Sequence, residues 1–569
     1  MKTKLRTFLT LSALLCIAAV THAQVVNTVW AKQLGGAGNE YGWSIGVDPS
    51  GNVFVAGFFS GTTDADPGAG VSNLTAVGKN DVFIVKLDAG GGFLWARQIG
   101  GPEEDRGNAI AVDNEGNVYI TGYFGGTVDF DPGPGTLNYI SDYPQRVYWV
   151  KLSANGDLVW AKCVESTNSN SSGIDIAVDA AGNSYSTGSF DGSPDFNPGT
   201  GTAVLSSPAS SNCFVSKFNA AGEFVWARHL AGAGSGEATG LALDDSGNVL
   251  TCGKFSGTAD FDPGTGAFNL TSAGKIDLYI SKLNADGEFR WAKAAGGPEN
   301  DIANSIAVDG SGNVYATGPF QATGDFDPGS GVVSLTSAGT RNIFILKLGV
   351  DGNLGWAKMF SGTGSDYSYS IAVDRQGRVF LTGGFKGTTD FDPGSSTASL
   401  TTAGDYDWFI AKLDSNGNLV RVNHTGGISY EIGNSMVIDD SGTIYTAGYF
   451  GGTADFDPGT GTITLNCLGG VDCFIHKLSQ NLSSIDEPGN LNTISLFPNP
   501  TGGLLRIASG ISLTNAKISV RDMHGRLISE QINRNGCEFT LDLSNQESGI
   551  YFIEVSEDRF VSRMKVIKR

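Results

Sequence analysis

The chain has 569 residues, 81 of them glycine, and a formal net charge of −21. The length exceeds one ordinary domain, and 40% hydrophobic residues recurring in short runs exclude a disordered chain. Residues 1–23 carry three bases and no acid, and residues 488–569 carry ten bases and eight acids, which leaves −26 on the body, 24–487; so acidic a surface excludes nucleic acid as a partner.

The chain begins with Lys2, Lys4 and Arg6, an apolar run from Phe8 to Val20, then the small residues Thr21 and Ala23. This predicts a secretory signal peptide over 1–23. The run is too short to cross a bilayer comfortably, and no later stretch could do so. Leu14 and Leu15 before Cys16 argue against a lipoprotein. Export makes disulfides permissible. Cys467 and Cys473 are the one pair close in sequence and the candidate loop staple; Cys163, Cys213, Cys252 and Cys537 read as buried thiols.

From residue 24 to 482 one unit recurs. Trp-Ala-Lys or Trp-Ala-Arg starts at Trp30, Trp95, Trp160, Trp226, Trp291 and Trp356, with Arg421 at the seventh equivalent position. A Gly-rich loop follows, then a short apolar run (Ser305–Asp309), a tight turn, and a second run (Val314–Gly318). A long loop leads to a third run (Phe344–Leu348), and a tight turn at Asp351-Gly352-Asn353 to a fourth. Runs of this length, rich in Val, Ile, Phe and Tyr and bounded by Gly, Asp and Asn, predict strands and hairpins. Four strands in each of seven units predict an all-β, seven-bladed β-propeller. The N-terminal stretch Val25–Lys32 is a fourth strand without its first three, and Phe474–Leu478 a third strand without its fourth. The N-terminal strand is therefore expected to complete the last blade and close the ring.

The long loop carries Asp-Phe-Asp-Pro-Gly, starting at Asp64, Asp129, Asp195, Asp260, Asp325, Asp390 and Asp455, at steps of 65 residues with one of 66. Ala65 replaces the Phe once, and Asn197 the second Asp once; the other third-position acids are Asp66, Asp131, Asp262, Asp327, Asp392 and Asp457. In an extended segment the two acids fall on one side and the Phe on the other. Phe can anchor the loop while the acids either hydrogen-bond loop amides or coordinate calcium. The loop between successive repeats carries further acids, such as Glu40, Asp105, Asp301, Asp366 and Glu431. Both long loops are expected at one end of the strands, as an acidic recognition face.

His229, His424, His476 and His524 are scattered without metal-ligand spacing, and no Gly-x-Ser-x-Gly, His-Glu-x-x-His or P-loop occurs. Acid pairs such as Glu103-Glu104 could serve glycoside hydrolysis, but so many loop acids make that non-specific.

The recurring Ser-Ile-Ala-Val-Asp, Gly-Asn-Val-Tyr, Phe-Ile-x-Lys-Leu and Leu-x-Trp-Ala-Lys segments resemble the SBBP family of bacterial β-propeller repeats over about 25–480. That resemblance implies an extracytoplasmic propeller without fixing an activity. Residues 491–569, after a linker at 483–490, resemble the type A C-terminal sorting domain of type IX secretion. The resemblance rests on Leu496-Phe497-Pro498-Asn499-Pro500, Ile518–Leu527 with Gly525, Ser548–Val555 with Gly549 and Tyr551, and the basic end with Lys565 and Lys568. It implies the type IX machinery as partner, passage through the outer membrane, and release or surface attachment. Bottom-up, the segment predicts a small β-sandwich. The expected function is a secreted or cell-surface binding or adhesion module for a glycan or protein. A polysaccharide-acting hydrolase or lyase, and a structural surface-layer component, are the alternatives.

Overall fold

The computed structural model describes residues 26–480 apart from 165–168, 208–210, 231–233 and 460. It also describes 494–568 apart from 498–500, 503, 515–516, 523–525, 533–534 and 558–559. The expected signal peptide and linker lie outside the described residues. The chain divides into one compact domain, Val25–Gln480, and a second that holds the C-terminal strands. All regular structure described is β-strand, and no described helix is long and apolar enough to cross a membrane.

Repeats one to six each supply four antiparallel strands in chain order. In the first they are Glu40–Val47, Val53–Phe59, Asp81–Leu87 and Phe93–Ile99. The second and third are buried along their whole length, which is why they read as continuous apolar runs rather than alternating ones. The first tight turn is built by Asp48, whose Oδ1 accepts the amides of Ser50 and Asn52, both at 2.9 Å, while Gly51 takes φ 80°. Repeat seven has three strands of its own: Glu431–Ile438, Ile444–Phe450 and Asp472–Gln480. Its fourth is the N-terminal strand Val26–Gly36, antiparallel to Asp472–Gln480 from Val26 opposite Gln480 to Leu34 opposite Cys473. This is the pairing the two incomplete ends predict.

Neighbouring repeats are tied by tryptophan. Trp95 Nε1 donates to the Ala154 carbonyl in the next repeat's turn at 3.1 Å, and Trp226 to Ala285 at 3.2 Å. Trp30, in the strand lent to repeat seven, donates to Ala89 of repeat one at 3.3 Å.

The acids ahead of the first strands are not on a solvent face, contrary to expectation. Glu40, Asp105, Asp301, Asp366 and Glu431 are all fully buried at the joints between repeats. Glu40 lies beside Asp472, and Asp105, Asp301 and Glu431 lie near Asp81, Asp277 and Asp407. At the remaining such joint Asn342 takes the partner's place, and its Nδ2 donates to Asp366 Oδ2 at 3.2 Å. Burial, reinforced by Asp472, pushes Glu40 up to about 8; burial pushes Glu431 up to about 8 and Asp105 to about 7. Burial pushes Asp366, in the amide-bearing joint, to about 6, as it does Asp301 beside Asp277.

The C-terminal domain has a three-stranded sheet (Ile494–Phe497, Leu504–Thr514, Asn535–Asp542) and a four-stranded one (Leu527–Ile532, Lys517–Asp522, Gly549–Glu557, Phe560–Lys568). Leu505, Ile507 and Leu541 of the first join Val520, Ile553 and Val566 of the second in one core. Gly549 opens the strand on which Tyr551 is buried, with its hydroxyl on the Glu547 carbonyl at 2.8 Å. Lys565 and Lys568 lie on the last strand, opposite Phe552 and Gly549. Pro498, Asn499, Pro500 and Gly525 lie outside the described residues.

Candidate functional site: repeated outer loops and a divergent inner rim

The Asp-Phe-Asp-Pro-Gly segments form hairpins rather than irregular loops. Thr388–Asp390 pairs with Ser399–Thr401, and Ser361 and Gly362 of the preceding repeat's fourth strand pair with Asp390 and Thr389. Asp390 Oδ1 accepts the amides of Asp392 at 3.0 Å and Ala398 at 2.8 Å, and Asp392 Oδ1 accepts that of Gly394 at 2.8 Å. The same three bonds recur at Asp64 with Asp66, Asp129 with Asp131, Asp195 with Asn197, Asp260 with Asp262, Asp325 with Asp327, and Asp455 with Asp457. An Asn serves as well as an Asp at the third position because the bond needs only an accepting oxygen. Phe130, Phe196, Phe261, Phe326, Phe391 and Phe456 are fully buried anchors. The loop with Ala65 keeps all its bonds. Among the described residues no three His, Cys, Asp or Glu side chains gather to hold a metal ion. In each loop the Oδ1 oxygens of both positions are taken by loop amides.

Cys467 and Cys473 do not form the expected staple; both are free thiols. Cys467 Sγ donates to Asp472 Oδ1 at 3.2 Å, whereas Cys473 is buried against Gly42 of repeat one. The two side chains serve different neighbours.

The first strands of all seven repeats line one cavity of about 430 Å³. Its wall is laced by bonds from each repeat to the next. Ser44, Ser305 and Ser370 Oγ accept the amides of Ile110, Ile371 and Met436, and Ser435 Oγ accepts that of Ile45. Asp175 stands in the series instead of Ser; its Oδ2 accepts the Leu241 amide at 2.7 Å and its Oδ1 that of Ile176 at 2.8 Å. The second bond replaces one that Ala109 cannot make. One residue earlier, Asn108, Asn304 and Asn434 donate Nδ2 to the carbonyls of Gly173, Ser368 and Gly42. No described residue donates to the Oδ1 of these three amides.

A larger cavity of about 770 Å³ at the tight-turn end is lined by Asp48, Asp113 and Asp439. Each of these already accepts two turn amides through Oδ1, so that end presents the same committed chemistry in each repeat.

Above the seven-strand cavity the repeats stop being equivalent. Tyr41 stacks on Phe58 at 4.9 Å and meets Tyr449 edge-on at 5.0 Å; Tyr449 also meets Tyr430 at 6.2 Å. Trp43, more than a third exposed at 36%, leans on Phe58 at 5.9 Å. In repeat six Tyr367 and Tyr369 lie parallel at 5.8 Å, and Tyr406 touches Tyr367 at 6.2 Å. These rings form an arc over repeats six, seven and one. Arg106 covers Phe58 at 4.3 Å while bound to Glu104, and Arg341 bonds the Tyr367 hydroxyl. Burial and the neighbouring phenols Tyr41 and Tyr430 push Tyr449 up to about 12, so its hydroxyl stays neutral. Repeats three to five are different: Ser172, Glu237 and Ile302 stand where Tyr41 and Tyr367 stand, and Glu237 pairs with Lys254 at 2.8 Å.

Sequence reasoning found the outer loops and missed this arc. The available signal was variation: in seven near-copies, the residues aligned with Tyr41 are Arg106, Ser172, Glu237, Ile302, Tyr367 and Ile432.

The comparisons agree with the two-part organisation. A β-propeller repeat family model (SBBP) matches residues 29–57, 94–123 and 290–318, and a secretion system C-terminal sorting domain model matches 495–569. The chain thus carries SBBP β-propeller repeats and a type IX sorting tail, which implies secretion. It is 24% identical to an uncharacterized WD repeat-containing protein of Acanthamoeba polyphaga mimivirus, over 74% of this chain and 36% of that protein. It is also 24% identical to the regulatory protein FlaEY of Caulobacter vibrioides, over 71% of this chain and 43% of that one. The chain therefore spans less than half the length of these curated relatives. Among solved structures, a puromycin hydrolase mutant matches at 12% identity and TM-score 0.38, over 84% of this chain and 58% of that one. A Bacteroides caccae protein of unknown function matches at 12% and 0.29, over 56% and 86%.

Proposed function

We propose that the seven repeats close into one seven-bladed ring and that this ring is an extracellular binding and adhesion module. Closure is supported by the bonds from repeat seven to repeat one: Ser435 to Ile45 and Asn434 to Gly42 repeat the pattern of the other joints. A signal peptide at 1–23 would start export, and the sorting tail would take the chain across the outer membrane.

The observation that carries the binding function is the aromatic arc. A purely structural ring has no need for its rim to differ between repeats, nor for an indole held partly in solvent. Preordered rings around a cavity offer contact area at little entropic cost.

The test is a screen of the full chain against glycan and protein arrays, beside a variant carrying Trp43→Ala and Tyr369→Ala. A ligand bound by the parent and lost by the variant is the expected result. A ligand retained by the variant, or full-length chain found only inside the cell, refutes the proposal.

A further inference from the structure

We infer that the cavity under the aromatic arc binds a neutral carbohydrate chain, with Trp43 and Tyr369 as stacking platforms and Asn434 between them; this rests on the binding function proposed above. The three residues occupy the same position in the first strands of repeats one, six and seven, and all line the seven-strand cavity. Repeats six and one flank repeat seven, so an aromatic, an amide and an aromatic succeed one another along the wall.

The chemistry of that wall selects the ligand. A pyranose presents one face of C–H groups and an edge of hydroxyls. The face is desolvated by stacking on a ring, and the hydroxyls need acceptors. Asn434 Nδ2 is committed to the Gly42 carbonyl at 2.9 Å, which leaves its Oδ1 as acceptor. Asn108 and Asn304 are committed in the same way, with Nδ2 at 2.7 Å from Gly173 O and 2.9 Å from Ser368 O. The wall thus repeats one device: an amide nitrogen spent on the neighbouring repeat and a carbonyl oxygen left for a donor.

An anionic sugar finds few cations beside the arc: Arg106 is paired with Glu104 and Lys386 with Asp405, while Arg341 gives one N–H to the Tyr367 hydroxyl. A cationic ligand would look for a free carboxylate, but both oxygens of Asp175, the acid on the cavity wall, accept amides at 2.8 and 2.7 Å. Hydroxyl donors on an uncharged, partly apolar ligand match what remains. The rings are fixed by one another, as in the parallel Tyr367–Tyr369 pair at 5.8 Å, so little order has to be imposed on binding.

The experiment is titration calorimetry of the full chain with neutral tetrasaccharides of glucose, xylose, mannose and N-acetylglucosamine. Quenching of tryptophan fluorescence is followed in parallel. One of the four is expected to bind at millimolar affinity or better, with Trp43→Ala and Tyr369→Ala each weakening it about tenfold or more. Trp43→Phe, which keeps a ring and guards against misfolding of the Ala variant, should retain most of the affinity. Asp392→Asn on an outer loop should change nothing. Failure of all four sugars overturns the carbohydrate assignment. If the arrays then give a protein or charged polymer whose binding is lost in the same variants, the rim stands and only its ligand class is wrong. Sugar binding indifferent to Trp43 and Tyr369 overturns the site itself.

Discussion

The outer loops and the inner rim of the repeat domain obey opposite rules. At the outer loops seven copies make the same bonds with the same geometry, and where residues differ the bond survives, as Asn197 does the work of an Asp. At the inner rim the backbone bonds repeat, but the side chains above them diverge into an aromatic arc and a polar arc. Uniformity marks the parts that hold hairpins and joints together, because every repeat meets the same packing problem. Divergence is tolerated where packing makes no demand, and there a ligand can select. Repetition of an acidic motif is thus weak evidence for a binding site.

Both regions hang on the same scaffold, so the largest effect is expected from removing its last strand. Deleting residues 24–33 exposes Asp472–Gln480 as an edge and removes Trp30, a buried side chain worth about 1.5–3 kcal/mol in addition to the lost ladder. Scanning calorimetry should show a fall in Tm of about 5 °C or more. An unchanged Tm would break the closure. Next is Phe391→Ala in an outer loop. Phe391 is fully buried and packs on Phe360 at 5.1 Å and Phe409 at 5.0 Å, so urea unfolding should register a loss of about 3–5 kcal/mol. Binding at the rim should be untouched; a loss of affinity in still-folded protein would erase the distinction between the two regions.

The joints between repeats carry a pH dependence. An acid with a higher pKa in the folded than in the unfolded chain holds its proton more tightly when folded. Its stabilisation is therefore complete at low pH and lost as pH rises through the folded value. With Glu40 and Glu431 raised from 4.5 to about 8, stability should fall between about pH 5 and pH 9. At one joint Asn342 donates its amide to Asp366 and does not titrate. Glu40→Gln should accordingly flatten the fall in Tm at alkaline pH. A parent chain equally stable at pH 5 and pH 9 would refute the buried, proton-holding acids at the joints.

The smallest effects belong to the outer acids. Asp390→Asn keeps an accepting oxygen and should cost about 0.5 kcal/mol or less, whereas Asp390→Ala strands two amides and should cost about 1–3 kcal/mol. Because the Oδ1 atoms serve amides, chelation is expected to shift Tm by about 1 °C at most. A larger drop, with calcium found by metal analysis, would restore a cation to these loops.

Much of this fold is legible without coordinates. The 65-residue period, the strand runs, the turn acids and the complementary ends at Val26 and Gln480 are local patterns, and local patterns write themselves into the chain. So does the sorting tail, whose segments stand in order. The Phe anchors followed from strand alternation alone. Only the tertiary structure decided which acids are buried. Glu40 follows an unremarkable Gly-rich loop, yet it meets Asp472, more than four hundred residues away in the chain. The arc was hidden for the same reason. Tyr41 and Tyr449 belong to the first and last repeats, and their rings come to 5.0 Å only because repeat seven packs on repeat one. Propensity and periodicity act over a few residues, whereas a binding rim is made of side chains that no local rule brings together.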